Sequence, residues 1–246
     1  MENATATAIA EVRHLKKSFG TKKVLKDISL AINKGENLVI FGKSGSGKSV
    51  LIKCLVGLME PDEGDVMLMG KDISNMDYPE LNVIRKKVGF LFQSGALYDS
   101  MTVRENLEFP MRGQTDVNTK ETEALILETL KSVGLEDAID KLPSELSGGM
   151  RKRVGLARAL MLKPEIIFYD EPTTGLDPIT SKEISKLILD IQKKYNTASI
   201  IITHDVECAR ITANRMIIIK EGVAVAEGTF EELSHSKDEW VCSFFH

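Results

Sequence analysis

The chain has 246 residues, 43% of them apolar and 28% charged, with a formal net charge of −4 and a pI of about 5.7. That length allows one large or two modest domains around a sizeable core, and the acidic balance removes the basic footprint that nucleic-acid binding needs. No apolar stretch nears the ~20 residues of a membrane span, the opening Met1-Glu2-Asn3-Ala4-Thr5 lacks the regions of a secretory signal, and Cys54, Cys208 and Cys242, without C-x-x-C spacing, read as reduced thiols.

Residues 9–41 read as β-structure. Val12, Leu15, Phe19, Val24, Leu25, Ile28, Leu30 and Ile32 are interleaved with Lys, Arg and Asp, the partial alternation of antiparallel strands with one wet face. Phe19 stands before the Gly20 turn. It is either a core phenylalanine or a π-face on which a purine can stack, and its local context favours the core. The run Asn37-Leu38-Val39-Ile40-Phe41 has buried-strand character. It leads into Gly42-Lys43-Ser44-Gly45-Ser46-Gly47-Lys48-Ser49, which reads G-x-x-x-x-G-K-S, a P-loop, and then into a helical segment at 50–58. Strand, glycine loop, helix is the context this motif requires. Its glycines let successive N–H groups face one concavity, which with the helix N-terminus attracts phosphate. Lys48 then reaches β- and γ-phosphates, and the Ser49 hydroxyl suits Mg²⁺. A dinucleotide-binding loop fails on spacing, since its third glycine would fall on Val50. The motif points to a nucleoside triphosphate.

Pro61-Asp62-Glu63-Gly64-Asp65 is a turn, and strand-like runs at 66–69 and 88–92 follow, the second leading to the polar Gln93. Residues 102–142 change character. Thr102 is placed to cap a helix at 103–108, and from Asn118 onward Leu125, Ile126, Leu130 and Val133 recur at helical spacing. This reads as a helical insertion in an α/β chain, with bounds near residues 97–150. Leu146-Ser147-Gly148-Gly149-Met150 opens a helix running to about Leu162. Ser147 is a natural N-cap, and the free N–H groups at 148–150 form a second anion site. Arg151, Lys152, Arg153 and Arg158 read mostly as a solvated face of that helix.

Ile166-Ile167-Phe168-Tyr169-Asp170-Glu171 is an apolar strand ending in two carboxylates, where α/β sheets bind ligands. Asp170 suits a Mg²⁺ ligand, and Glu171 a general base for an attacking water. A helix at 179–195 precedes the strand Ala198-Ser199-Ile200-Ile201-Ile202, and His204, just past its end, is placed to contact a γ-phosphate. His14, His235 and His246 have no such setting. Strand-like runs at 216–220 and 223–227 flank the Glu221-Gly222 turn, and the chain ends in Trp240-Val241-Cys242-Ser243-Phe244-Phe245-His246. Trp240 with Phe244 and Val241 with Phe245, each four apart, form one helical face that packs on its own chain or on a partner.

Assembled, these residues resemble the ATP-binding-cassette ATPases over roughly residues 9–233, leaving 234–246 as an aromatic tail. Residues 42–49 match that family's Walker A motif, Gln93 its Q-loop and 146–150 its signature loop. Asp170-Glu171 match Walker B and the catalytic glutamate, Thr174-Gly175-Leu176-Asp177 the D-loop and His204 the switch histidine. Phe19 matches the aromatic A-loop that stacks on adenine, which reverses the preference for a core role. The resemblance implies an α/β fold: a P-loop NTPase core with a parallel sheet, an N-terminal antiparallel β subdomain and an inserted α-helical subdomain. It implies ATP as substrate and Mg²⁺ held by Ser49, Asp170 and Gln93. It also implies a head-to-tail pair of subunits, in which Ser147, Gly148 and Gly149 complete the partner's site. One departure stands out: the usual signature is L-S-G-G-Q, and this chain has Met150, which lacks the amide's hydrogen bonds.

L-S-G-G-M, the stretch 93–106 and Asp177-Pro178-Ile179-Thr180-Ser181 are similar to the ATPase subunits of Mla-type systems, which move phospholipids between bacterial membranes. That resemblance implies a homodimer beneath two polytopic permeases, with an MCE-domain lipid-binding protein beyond the membrane. Its place would be peripheral, on the cytoplasmic face of the inner membrane, with membrane contact through the permeases and no nucleic acid. The alternatives are an importer ATPase with another cargo and a soluble cassette ATPase acting on ribosomes or DNA. The intact Glu171 speaks against a non-catalytic ATP-switched module.

Overall fold

The computed structural model describes residues 8–112 and 119–245. The opening Met1–Thr5 segment, Asn118 and His246 lie outside them. Strands β1 (Ala8–Phe19) and β2 (Lys22–Asn33) form an antiparallel hairpin, as the alternation predicts, but with several register shifts. Val12 and Leu15 are three apart, so a regular strand would turn one of them outward. The ladder instead steps from Val12↔Leu30 to Leu15↔Ile28, a bulge with His14 at φ 49°, and both apolar side chains are buried.

β3 (Asn37–Phe41) runs into α1 (Lys48–Leu55), followed by β4 (Glu63–Leu68), β5 (Lys71–Asp72), α2 (Tyr78–Arg85) and β6 (Val88–Leu91). Then come α3 (Val103–Glu108), α4 (Thr119–Val133), α5 (Gly148–Leu160), β7 (Ile166–Asp170), α6 (Pro178–Tyr195), β8 (Ala198–Thr203) and α7 (Val206–Thr212). β9 (Arg215–Lys220), β10 (Val223–Gly228), α8 (Phe230–Ser234) and α9 (Glu239–Cys242) complete the described chain. Neither α2 nor α7 follows from the sequence reading. Both are short and start on aspartate caps, Asp77 accepting from Glu80 N–H and Asp205 from the N–H groups of Glu207 and Cys208.

Among the described residues the strands form one sheet, in the order β5-β4-β1-β2-β10-β9-β3-β8-β7-β6. The portion β9-β3-β8-β7-β6 is parallel, and β1, β2, β4 and β5 are antiparallel. Strands β3 and β8 are buried throughout because both sheet faces are covered. Val39, Phe41, Ile167, Tyr169 and Ile201 face one core with α5–α7, and Leu38, Ile40, Phe168, Ile200 and Ile202 face a second with α1 and the hairpin. This period-two split leaves the loops after β3, β6, β7 and β8 at one edge of the parallel sheet, where ligands bind in such folds.

Between β6 and α5, Thr102 and Glu105 form the capping box of α3. Asn106 is fully buried there. Its Oδ1 accepts from Tyr98 N–H at 2.9 Å, and its Nδ2 donates to the carbonyls of Tyr98, Met101 and Thr102 at 3.0–3.1 Å. Asn106→Leu keeps the shape but strands the Tyr98 N–H and the Met101 carbonyl, while the Tyr98 and Thr102 carbonyls keep the N–H groups of Met101 and Asn106, so unfolding free energy should fall by about 3 kcal/mol in a denaturant titration. A loss under about 1 kcal/mol would mean that the loop finds other partners.

The aromatic tail docks on its own chain. Val241 is buried, and Phe244 and Phe245 meet Phe41 with ring centroids 5.5 and 6.2 Å apart. Trp240 packs edge-on against Phe244 at 4.8 Å, with the Lys220 ammonium 4.1 Å from its ring. The three cysteines are free, and burial pushes the Cys54 and Cys208 thiols up to about 11, which keeps them unreactive at neutral pH.

Candidate active site

The P-loop bends tightly between β3 and α1. Two of its glycines are required sterically. A Cβ at Gly42 would lie 2.4 Å from the Ile219 carbonyl oxygen, and one at Gly47 (φ 105°) would lie 2.8 Å from Leu25 of the hairpin. Lys48 is only 6% exposed; its ammonium donates to the Gly42 and Lys43 carbonyls at 2.7 and 3.1 Å and lies 3.9 Å from Glu171 Oε1. Burial holds its pKa below the ordinary lysine value, and the carboxylates of Glu171 and Asp170 offset this in part.

The carboxylates stand at the tip of β7. The Ser49 hydroxyl donates to Asp170 Oδ1 at 3.4 Å. Burial, with Glu171 beside it, raises the Asp170 pKa, and the Ser49 bond partly opposes the rise. Glu171 adopts φ 50°, an uncommon left-handed conformation for a non-glycine residue. Its N–H is held by the Ile202 carbonyl of β8 at 2.9 Å. Its Oε2 lies 2.8 Å from His204 Nδ1 and accepts from the Thr174 hydroxyl at 3.2 Å. Lys48, Ser49, Asp170, Glu171 and His204 thus converge from three separate strand ends.

Gln93 lies just beyond β6 with its side chain exposed. Its carbonyl oxygen accepts a bond from Lys152, whose ammonium also donates to the Glu171 carbonyl at 3.1 Å. Spacing does not single out Lys152. The solvated reading of that basic run holds for Arg151, which is exposed, but not for the buried Lys152, and Arg153 and Arg158 are half-buried; all four donate to main-chain carbonyls. Arg151 donates to the Leu146 carbonyl, Arg153 to the Val133 carbonyl and Arg158 to those of Gly95 and Ala96.

Phe19 is 49% exposed at the end of β1, with Lys17 5.9 Å from its ring, so it is not a core phenylalanine. Val24 and Leu25 of the same hairpin touch Gly47, which brings this exposed ring's strand beside the P-loop. Ser147 caps α5, its Oγ accepting from Met150 N–H at 3.2 Å. Met150 turns its thioether toward the core. Gly148 and Gly149 lie against Leu176 and Thr180; a Cβ on Gly149 would sit 2.5 Å from the Thr180 methyl. Among the described residues no hydrogen bond joins residues 147–149 to Lys48 or Glu171 of the same chain. Asp177 caps α6, and its bonds to Thr180 hold its carboxyl below the usual range.

Similarity to known proteins identifies the family. The ABC transporter family profile matches residues 25–174. A probable ribonucleotide transport ATP-binding protein of Mycobacterium leprae is 42% identical over 236 residues, 96% of this chain and 68% of that protein. The intermembrane phospholipid transport system ATP-binding protein of Haemophilus influenzae is 39% identical, covering 96% of this chain and 89% of that protein. A solved ATP-binding cassette dimer, captured after hydrolysis with ADP and Pi, superposes with a TM-score of 0.82 at 33% identity, over 90% of this chain and 98% of that one. With a P-loop, a carboxylate pair and a histidine meeting at one sheet edge, the chain belongs to the ABC transporter ATPase family and is an ATP-binding, ATP-hydrolysing protein.

Proposed function

We propose that this chain is the ATPase subunit of a bacterial phospholipid transporter. Two copies work head to tail beneath two polytopic permeases, with an MCE-domain lipid-binding protein across the membrane. The observation that carries the hydrolytic part is the Glu171 carboxylate, oriented by Thr174 and His204 and 3.9 Å from the Lys48 ammonium. The likeness to the Haemophilus phospholipid-transport protein, over nearly the whole chain, supports the cargo. Among the described residues no helix is long and apolar enough to cross a membrane. In this reading contact with the inner membrane, at its cytoplasmic face, runs through the permeases.

In this reading residues 9–233 form the nucleotide-binding domain and 234–246 its tail. The P-loop, Gly42, Lys43, Ser44, Gly45, Ser46, Gly47, Lys48 and Ser49, cradles the phosphates, and Phe19 stacks on adenine. Glu171 takes a proton from the attacking water, and His204 steadies both the carboxylate and the γ-phosphate. Ser147, Gly148 and Gly149 contact the γ-phosphate on the partner's P-loop, which fits their lack of bonds to their own chain's Lys48. Ser49 Oγ and Asp170 Oδ1, 3.4 Å apart, are the hard oxygen donors that Mg²⁺ requires, and Gln93 is placed at the same sheet edge. When bound there, Mg²⁺ neutralises phosphate charge.

The test is to trap tagged Glu171→Gln with ATP in detergent-solubilised membranes and identify what co-purifies. A polytopic permease together with an MCE-domain protein is the expected result. A permease with another soluble receptor would remove the lipid cargo, and recovery of ribosomes or no membrane protein would overturn the transport reading.

A further inference from the structure

We propose that Lys152 is a positioning residue for hydrolysis: by donating to the main-chain carbonyls of Gln93 and Glu171, it locks the loop after β6 to the loop after β7. The argument begins with register. Strands β6 and β7 pair in parallel from Val88↔Ile166 to Leu91↔Tyr169. Continuing that offset of 78 residues pairs Gln93 with Glu171, two residues beyond the last described ladder pair. Backbone pairing has ended there, and the lysine ammonium bridges the same two residues instead.

Its effect on Glu171 is specific. The Glu171 N–H is fixed by the Ile202 carbonyl, and its C=O is fixed by Lys152, so the left-handed residue is gripped on both sides. Such a conformation is strained for a non-glycine residue and persists only when its surroundings hold it. Lys152 is 5% exposed, so water is poorly placed to substitute. Burial disfavours its charge, and the Asp170 and Glu171 carboxylates favour it.

The remainder of the α5 face reinforces the same joint. Residues 152, 155 and 158 share one face at i, i+3, i+6 spacing. A Cβ at Gly155 would lie 3.0 Å from the Gly95 carbonyl oxygen, so the glycine lets the helix approach this loop. Arg158 donates to the Gly95 and Ala96 carbonyls. The helix capped by Ser147 therefore holds backbone 93–96 along three contacts, and its lysine extends that hold to Glu171. Displacement of the Gln93 loop would reach the Glu171 main chain through this ammonium.

This inference rests on Glu171 acting as the base. The experiment measures steady-state ATPase kinetics and melting temperature of the full chain carrying Lys152→Met or Lys152→Arg, with Glu171→Gln in parallel. Lys152→Met should lower kcat at least tenfold with KM for ATP within twofold, and Lys152→Arg, which retains charge and donors, should recover to within threefold of the parent. A Lys152→Met variant with kcat within twofold of the parent overturns the proposal, as does Lys152→Arg being equally slow. If Lys152→Met shows no cooperative unfolding, Lys152→Gln is judged by the same kcat and KM limits. Full activity in Glu171→Gln would instead overturn the assignment of the base, separately from the role of Lys152.

Discussion

Glu171→Gln is expected to slow ATP turnover by about a thousandfold, the middle of the range for losing a positioned general base, while ATP affinity stays within about threefold. The substitution is nearly isosteric. A glutamine carbonyl at this position can still accept from the Thr174 hydroxyl, and the backbone bond from Glu171 N–H to Ile202 does not involve the side chain. What is lost is the basic carboxylate. A thousandfold corresponds to about 4 kcal/mol in the barrier. Binding should survive because the proposed phosphate cradle, Gly42 to Ser49, lies on another loop. Phosphate release measured alongside nucleotide titration separates the two effects. Turnover within tenfold of the parent would remove Glu171 from the role of base and leave another group to activate water.

Much of this site is legible in the chain because each element obeys a short-range rule. Gly42–Ser49, Asp170-Glu171 and His204 all follow apolar runs, and such runs become the buried parallel strands β3, β7 and β8. Polar residues immediately after them must emerge at the same sheet edge. Thr102 and Ser147 announce their helices by capping chemistry alone. Lys152 is different. Its neighbours in sequence are Arg151, exposed, and Arg153, half-buried, and nothing local separates the fully buried cation from them. Its burial follows from the tertiary approach that Gly155 permits. Phe19 illustrates the reverse case, an aromatic whose local pattern favours the core while its hairpin-end position leaves half its surface exposed. The tail lies between these extremes. Its i, i+4 spacing brings Trp240 onto Phe244, but what the pair faces depends on Phe41, some two hundred residues earlier in the chain.

The second large effect is on binding. Lys48→Met should weaken ATP affinity by about a hundredfold, roughly 3 kcal/mol, the worth of one or two charge-assisted hydrogen bonds to phosphate. Methionine keeps most of the alkyl stem, so the melting temperature should change little. The variant loses bonds to the Gly42 and Lys43 carbonyls, but it also loses the cost of burying an ammonium. AMP supplies an internal control. It has neither of the phosphates proposed for Lys48, so its affinity should move less than threefold. The lowered Lys48 pKa adds a directional test. In the free protein the folded state binds this proton less tightly than the unfolded chain. The stability cost is therefore present below the folded pKa and is relieved as pH rises toward the unfolded value. Phosphate restores the charged form, so at alkaline pH ATP binding by the parent should take up protons. Calorimetry in buffers of different ionisation enthalpy measures that uptake, and Lys48→Met should abolish it. Equal proton uptake by parent and variant would assign the titrating group elsewhere. An unchanged ATP affinity would mean that backbone N–H groups alone hold the phosphates, with the ammonium left bonded to its own loop.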